Sequence, residues 1–215
     1  LPKLTINNEN VNVTYPAGSY RISVTMRRVM PIKGTGLPSR PGQSKQVSTK
    51  SEVVKKIISG GQTGVDQIGL EVGKTLNTQT GGTATPGFVV EGNVKDLSLA
   101  EKYGLTEASE DIQQGATGKQ FYLPRTRENV KNSDGTVYFA TSQDSAGRIA
   151  TQRFAEQLNK PFLLNPTAEV LRKWISDNDV QTLNVAGNRG SKLTSKQAEN
   201  IKNLLIEALS NKPTD

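Results

Sequence analysis

Residues 53–66 read VVKKIISGGQTGVD, a run rich in β-branched residues followed by a glycine-rich turn and the start of an amphipathic segment. The run at 53–58 predicts a strand, and the glycines after it predict a sharp turn. Thr63 and Asp66 have the spacing of a capping box, which predicts that a helix begins at Thr63. The apolar face of that helix repeats at helical spacing and comprises Val65, Ile68, Val72 and Leu76.

The remainder of the chain repeats this succession of strand, turn and helix. Strands are predicted at 136–140, 162–164 and 181–186, and helices near 97–103, over about 13 residues from Ala146, at 168–176 and at 195–209. Residues 77–120 are glycine-rich and polar, and no strand is assigned there. Trp174 lies at helical spacing with Val170 and Leu171, which favours core packing over stacking on a ligand. The sequence therefore predicts an α/β fold, a doubly wound, mostly parallel, Rossmann-like three-layer sheet.

The first 52 residues follow a different pattern. Residues 11–29 alternate at period two around a turn at 16–19, which predicts a β-hairpin. Residues 30–52 are rich in Pro, Gly and Ser and predict a linker. We therefore expect three parts: a basic hairpin arm at 1–29, a linker at 30–52 and a Rossmann-like domain at 53–215.

Positive charge is concentrated in the amino-terminal segment. The chain of 215 residues carries 27 Lys and Arg against 20 Asp and Glu, and eight of the basic residues but only one acid, Glu9, lie in residues 1–50. Because the remaining residues carry nineteen of each sign, the net charge of +7 belongs to residues 1–50. A neutral body with a basic arm predicts a tether to a polyanion or an acidic protein, although a merely solvated arm explains the pattern equally well.

The composition excludes several classes of chemistry. The chain contains no Cys and no His, so disulfides, thiolate nucleophiles, zinc clusters and Ser-His-Asp triads are excluded, and we expect no metal site. No apolar run approaches 18 residues, which predicts no membrane insertion. Residue 1 is Leu, so the chain is expected to be a processed product or a fragment, and the expected location is the cytoplasm or an organelle interior.

The glycine loop is the first candidate binding site. Its residues are Gly60, Gly61, Gln62, Thr63 and Gly64, and Asp66 follows in the first helical turn. Glycines without Cβ allow backbone amides to approach an anion, and the start of a helix adds unpaired donors. The loop lacks the lysine of a Walker A motif, which argues against a magnesium-dependent NTPase. Its glycines could also serve only a tight turn.

Two further segments are predicted to form loops at the same edge of the sheet. This edge is the expected binding site, because ligands of such folds bind beyond the carboxyl ends of the strands. The first, residues 125–136, offers Arg125, Asn129, Asp134, Gly135 and Thr136, although a turn before a strand and surface ion pairing explain these residues equally well. The second, residues 187–191, offers a glycine and a cation in Gly187 and Arg189.

Taken together, these motifs resemble the molybdenum-cofactor carrier family. The resemblance rests on IISGGQTGVD at 57–66, the glycine pair at 81–82, the segment from Arg125 to Thr136, and LNVAG at 183–187, and it extends over about 54–210. That family belongs to the SLOG superfamily of Rossmann-like nucleotide-ligand binders. The resemblance implies a homo-oligomeric carrier that holds the phosphate and pterin of molybdenum cofactor, or a related nucleotide-like anion.

The chain departs from the family pattern at two places. Family members follow the second glycine pair with a basic Cys-Pro-Lys-Gly-Arg-like run, whereas residues 83–88 here read TATPGF. Family members carry a Gly-Gly-Thr turn where residues 145–148 here read SAGR, so that Arg148 would either fill the pocket or supply a new cation. The SLOG superfamily also holds phosphoribohydrolases, which depend on a glutamate in a Gly-Gly-x-Gly-Thr-x-x-Glu segment. The corresponding turn here has no such glutamate, which argues against that catalysis.

Three functions remain open from sequence alone. The first is a binding or carrier protein for a small anionic ligand, with the loop amides, Asn129, Asp134 and Thr136 as polar contacts and with Arg125 or Arg148 neutralising charge. The second is an assembly subunit with a degenerate pocket, attached to a larger complex by its basic arm. The third is a nucleotide N-glycosidase with Asp66 or Asp134 as its base.

Overall fold

A computed structural model describes residues 54–108, 122–142 and 145–210, and the backbone of two short strands near the amino terminus. These strands, β1 (Leu4–Ile6) and β2 (Glu9–Val11), pair antiparallel. They belong to a unit of residues 1–47 that is separate from the unit of residues 48–215. Apart from Val11, which ends β2, the predicted hairpin of 11–29 lies outside the described residues, as does the predicted linker. Both stay predictions.

The second unit is built on a parallel sheet. Its strands are β3 (Lys56–Ile58), β4 (Gln79–Ala84), β5 (Val89–Val90), β6 (Val94–Lys95), β7 (Leu105–Glu107), β8 (Gly135–Phe139), β9 (Phe162–Leu164) and β10 (Thr182–Gly187). Strands β5 and β6 form a separate antiparallel pair. The other six form one sheet in the order β7-β4-β3-β10-β8-β9, and all neighbours in it are parallel.

Helices cover both faces of this sheet. They are α1 (Val65–Thr75), α2 (Ser98–Tyr103), α3 (Leu123–Lys131), α4 (Ala146–Gln157), α5 (Ala168–Asp177) and α6 (Ser195–Leu209). On one face α1, α5 and α6 bury a core that includes Val65, Leu171, Leu183 and Leu205. On the other face α3 and α4 pack on each other. The predicted three-layer, Rossmann-like α/β fold is confirmed.

Trp174 packs on this core, as its helical spacing predicts. A Cβ added at Gly135 would lie 2.6 Å from Cη2 of Trp174, so glycine at that position lets the indole approach the sheet. Apolar burial of this kind is the main favourable contribution to the stability of such a domain.

The predicted capping box of the first helix is wrong. Helix α1 begins at Val65 with Gly64 at its N-cap, and no side chain caps it. The two side chains are used elsewhere, since Thr63 donates to Glu91 and Asp66 accepts from Arg125. A capping box does form at α6, where Thr194 and Gln197 bond reciprocally. Tertiary contacts therefore override the local capping preference at Thr63.

The predicted loop at 125–136 is also wrong in part. Residues Leu123–Lys131 form α3, which leads into β8, so Asp134 lies at the amino end of that strand. There its Oδ2 accepts hydrogen bonds from the backbone amides of Gln181 and Thr182 at 3.1 and 2.7 Å. Because the strands are parallel, this is the edge of the sheet opposite to the glycine loop. Asp134 therefore connects the starts of β8 and β10.

Residues 77–120, where no strand could be assigned, contribute strands β4 to β7. Strand β4 reads QTGGTA, which lacks the β-branched run that marks β3. Pairing with β3 and β7 on its two sides holds it in the sheet despite its low intrinsic strand propensity. Among the described residues, no helix combines the length and the apolar character that crossing a membrane requires.

Candidate functional site

The loops that follow β3 and β10 touch at the carboxyl edge of the sheet. Strands β3 and β10 are neighbours, so the glycine loop at 60–64 lies beside the loop at 188–191. The amide of Val65 donates to the carbonyl oxygen of Asn188 at 3.1 Å, and the amide of Gly190 donates to Thr63 Oγ1 at 3.2 Å. The glycine loop and the predicted loop at 187–191 thus meet as expected, at the kind of crevice where such sheets bind ligands.

Arg125 reaches the same edge from α3. This helix precedes β8 and returns the chain to the amino edge, so its first turn lies beside the carboxyl ends of the strands. Nη1 of Arg125 lies 3.0 Å from Oδ2 of Asp66, and the two side chains are only 12 % and 7 % exposed. The guanidinium rests on Gly60, where an added Cβ would lie 1.4 Å from Nη1. The structure therefore joins the glycine loop, Asp66 and Arg125.

Asp66 is a buried carboxyl group held by several donors. Burial raises the pKa of Asp66 above its ordinary value, and this effect outweighs the opposing effects of Arg125 and of the amides of Gln62 and Gly187. Each of these donors favours the charged form of the carboxyl group. Among the described residues, Nε of Arg125 is buried and has no hydrogen-bond partner. A buried N–H without an acceptor is costly, so this atom is a natural donor to a ligand.

Tyr138 adds a hydroxyl group to this cluster. It lies near the end of β8, and its hydroxyl is hydrogen-bonded to Ser145. Burial raises the pKa of Tyr138, and the charges of Asp66, Arg125 and Arg148 act on it as well. Sequence reasoning missed Tyr138 and Ser145. The signal that could have found Tyr138 was the alternation of side chains along β8, which places Tyr138 on the same face of the sheet as Thr136.

Arg148 lies in the first turn of α4. Ser145 is the N-cap of that helix and accepts from the Arg148 amide at 3.3 Å. Nη1 of Arg148 donates to Gln152 at 2.6 Å, one turn further along the helix. The altered segment at 145–148 thus forms a capped helix start, and its arginine acts on Tyr138 through its charge.

Asn129 links α3 to β4. Its Oδ1 accepts from the Thr83 amide and its Nδ2 donates to the Thr83 carbonyl oxygen, both at 2.8 Å. Because Asn129 lies one turn after Arg125, these two bonds fasten α3 to β4 and position the arginine. The amide group of Asn129 is therefore committed to the backbone of β4.

Three of the remaining predicted site residues lie away from the glycine loop. Thr136 is fully buried in the sheet, where its Oγ1 accepts from Nδ2 of Asn184 at 3.1 Å. Gly135 lies beneath Trp174, and Asp134 joins the amino ends of two strands. Arg189, by contrast, lies in the loop after β10, where its Nε forms an ion pair with Glu91 at 3.0 Å.

An open cavity of about 540 Å³ lies at the amino edge of the sheet, away from these loops. Its lining consists of Val54, Lys55, Leu76, Asn77, Thr78, Gln79, Leu209 and Ser210. None of the predicted binding residues lines it. Within the described residues, no three His, Cys, Asp or Glu side chains group in a way that could hold a metal ion.

Comparison with known proteins identifies the domain. The profile of the circularly permutated YpsA SLOG family matches residues 57–209. The chain belongs to this family. The matched span runs from β3 to the last residue of α6, so the glycine loop, Asp66, Arg125 and Arg189 all lie inside the SLOG domain.

A solved structure resembles this SLOG domain. It is that of a protein from Syntrophus aciditrophicus SB named "Putative molybdenum carrier protein", with 29 % sequence identity and a TM-score of 0.58. The match covers 73 % of this chain and 95 % of that one. A comparison with curated proteins found no match.

Proposed function

We propose that this SLOG domain binds an anionic, nucleotide-like ligand at the carboxyl edge of its sheet. The observation that carries the proposal is the buried guanidinium of Arg125, which rests on the glycine loop, is paired with Asp66 and retains an unpartnered Nε. Charge-assisted hydrogen bonds from a guanidinium to a phosphate are strong and directional. Asp66 fixes the orientation of this cation, so that a ligand meets a preorganised donor.

The other groups at this edge have complementary roles in the proposal. Backbone amides of the loop at 60–64 would approach a phosphate closely, because its glycines present no side chain. Arg148 would contribute positive charge, and the Tyr138 hydroxyl would bond a polar group of the ligand. Gly187 contributes by donating its amide to Asp66, which keeps the carboxylate beneath Arg125.

Molybdenum cofactor is the specific ligand that we propose. Support comes from the printed name of the Syntrophus aciditrophicus neighbour and from the motifs that the chain shares with molybdenum-cofactor carriers. The residues present fit the phosphate of such a ligand, since an arginine Nε without an acceptor lies among loop amides and hydroxyl groups. Recognition would therefore depend on the anionic, pterin-bearing part of the molecule.

The two other functions are less well supported. A nucleotide N-glycosidase would need Asp66 or Asp134 as its base. Asp134 lies at the edge of the sheet opposite to the glycine loop, where it accepts two backbone amides, and Asp66 is paired with Arg125. An assembly role is not favoured by the family match or by the named neighbour. The homo-oligomer, the partner of residues 1–50 and the cellular compartment remain predictions.

Thermal unfolding of the purified full chain with inorganic phosphate, AMP and a pterin phosphate tests the proposal. A ligand at about 100 times its Kd adds about 2.7 kcal/mol to the free energy of unfolding. We expect stabilisation by at least one phosphate ester, and its loss in Arg125→Ala. Absence of any shift, or an equal shift in Arg125→Ala, would contradict the proposal.

The identity of the ligand needs a separate measurement. The chain should be purified from cells that synthesise molybdenum cofactor, and molybdenum and the oxidised, fluorescent pterin should be quantified per protein. We expect both in comparable amounts, and both lowered in Arg125→Ala. Phosphate-ester binding without molybdenum or pterin would retain the binding function and exclude this ligand.

A further inference from the structure

A short hairpin between β4 and α2 reaches across to the glycine loop. We call residues 86–95, which include β5 and β6, the flap. Its base is anchored by Phe88 and Val90, which are buried in a cluster with Leu70, Leu99 and Leu105. Glu91 follows β5 and begins the turn of the flap.

The carboxylate of Glu91 is held by donors from both glycine-containing loops. Its Oε2 accepts from Thr63 Oγ1 at 2.9 Å and from the Ser191 amide at 3.0 Å. Its Oε1 accepts from Ser191 Oγ and lies 3.0 Å from Nε of Arg189. In addition, the amide of Glu91 donates to Oε1 of Gln62 at 2.7 Å.

One cation, two hydroxyl groups and one backbone amide therefore converge on a single carboxylate. Such a donor set binds carboxylates and phosphate monoesters alike, since both present oxygens that share negative charge. Thr63 comes from the loop after β3, whereas Arg189 and Ser191 come from the loop after β10. The segment at 83–88, which overlaps the start of the flap, is where the family resemblance leads one to expect a basic run.

We propose that Thr63, Arg189 and Ser191 form an anion subsite for a carboxylate or phosphate monoester, and that Glu91 fills this subsite from within the chain. The inference deepens the proposed function, because it assigns a second anionic group of the ligand to the same edge of the sheet. Binding then requires the ligand's anion to replace Glu91. The flap carboxylate sets the affinity for anions by competing with them.

The geometry allows this exchange. The Glu91 side chain is 21 % exposed and its partner Arg189 is 54 % exposed, so solvent and a ligand reach the contact from outside. The apolar anchors of the flap are Phe88 and Val90 rather than Glu91 itself. Rotation of one side chain would therefore open the subsite while the flap base stays packed.

Glu91 could instead be a purely structural clamp, and the two roles predict opposite results. The variant Glu91→Gln keeps the shape of the side chain and removes its charge. A competing carboxylate predicts tighter anion binding in this variant. A clamp predicts unchanged or weaker binding, because the flap would be held less firmly.

Calorimetric titration of the full chain with inorganic phosphate and with AMP, at constant ionic strength, distinguishes a competing carboxylate from a structural clamp. We expect Glu91→Gln to bind at least one of these probes at least tenfold more tightly than wild type. Glu91→Ala should show a gain in the same direction and serves as the second variant. Glu199→Gln removes an exposed charge on α6 and should bind as wild type does.

The double variant Glu91→Gln with Arg189→Ala should lose the gain, because the subsite then lacks its cation. Equal or weaker binding in both Glu91 variants, no binding in either, or a gain that survives Arg189→Ala would overturn the inference. The result that would contradict the proposed function differs from the results that would contradict the subsite. If wild type binds a phosphate ester in an Arg125-dependent manner while the Glu91 variants gain nothing, the function stands and the subsite does not.

Discussion

Nη1 of Arg125 lies 3.0 Å from Oδ2 of Asp66, and this contact joins residues that are 59 positions apart in the chain. Asp66 lies in the first turn of α1, which follows β3, and Arg125 lies in the first turn of α3, which leads into β8. Their pairing holds a buried cation against Gly60. The charge of the proposed site is therefore set by a long-range contact.

Replacing Arg125 by Ala should destabilise the domain strongly. Removing one partner of a buried ion pair leaves the other charge uncompensated and costs about 3–5 kcal/mol. Urea denaturation of the purified chain measures the free energy of unfolding.

Lys173→Ala is the matched control, since Lys173 pairs with Asp177 one turn along α5 and both side chains are mostly exposed. Exposed helix pairs of this type contribute only about 0.3–0.5 kcal/mol. Similar losses in the two variants would contradict a buried, structurally coupled Arg125–Asp66 pair.

Gly64→Ala should destabilise more than Gly92→Ala. Both glycines have a positive φ, +84° and +77°, so both variants pay about 1–2 kcal/mol for the left-handed conformation. At Gly64 an added Cβ would also lie 2.5 Å from the carbonyl oxygen of Asn188, whereas at Gly92 the nearest atom would lie 3.8 Å away. The clash adds about 1–3 kcal/mol at Gly64 only.

Thermal and urea unfolding of these two variants give the comparison directly. Equal losses would mean that the loops at 60–64 and 188–191 can separate without cost. A loss at Gly64 alone would mean that the turn of the flap tolerates an L-residue.

The contribution of Glu91 to stability should vanish in acid. Burial raises the pKa of Glu91, but hydrogen bonds from Ser191 and Thr63 and the charge of Arg189 outweigh burial and hold it below the ordinary 4.5. A carboxyl group with a lowered folded-state pKa stabilises the protein above the unfolded pKa, and this stabilisation is lost as the pH falls through the folded value.

Unfolding free energies of wild type and Glu91→Gln, measured from pH 7 down to about pH 3, provide the test. We expect wild type to be the more stable protein at neutral pH and the difference to shrink below the ordinary glutamate value. Glu199→Gln, the exposed control, should show no such change with pH. A difference that stays constant or widens in acid would exclude a charged hydrogen-bonding role for Glu91.

Thr136→Val should lower stability without changing anion affinity. Thr136 accepts from Asn184 inside the sheet, and Oδ1 of Asn184 already lacks a partner among the described residues. Losing this bond leaves a buried amide donor unsatisfied, at a cost of about 1–3 kcal/mol. Denaturation should report this loss, while phosphate titration should match wild type. Weakened phosphate binding would place Thr136 at the site after all.

Several features followed from local sequence. The strand, glycine turn and start of a helix at 56–66, the helix at 195–209 and the strand at 162–164 depend on β-branched runs, glycine turns and helical periodicity over short spans. The same signals placed the glycine loop at the carboxyl edge of a parallel sheet. Helix α3 escaped prediction because residues 123–131 are dominated by polar and charged side chains, with Val130 as a fully buried exception.

The composition of the site was decided only by tertiary structure. Asp134 and Arg125 lie in one short segment, yet α3 sends them to opposite edges of the sheet, because a helix must return the chain before the next parallel strand begins. Glu91 and Ser191 are 100 positions apart and meet because β4, β3 and β10 lie side by side in the sheet. Sequence determined where the glycine loops form, through backbone preferences that act over a few residues. Strand order decided which charges stand beside those loops, because contacts between distant segments arise only when the whole sheet assembles.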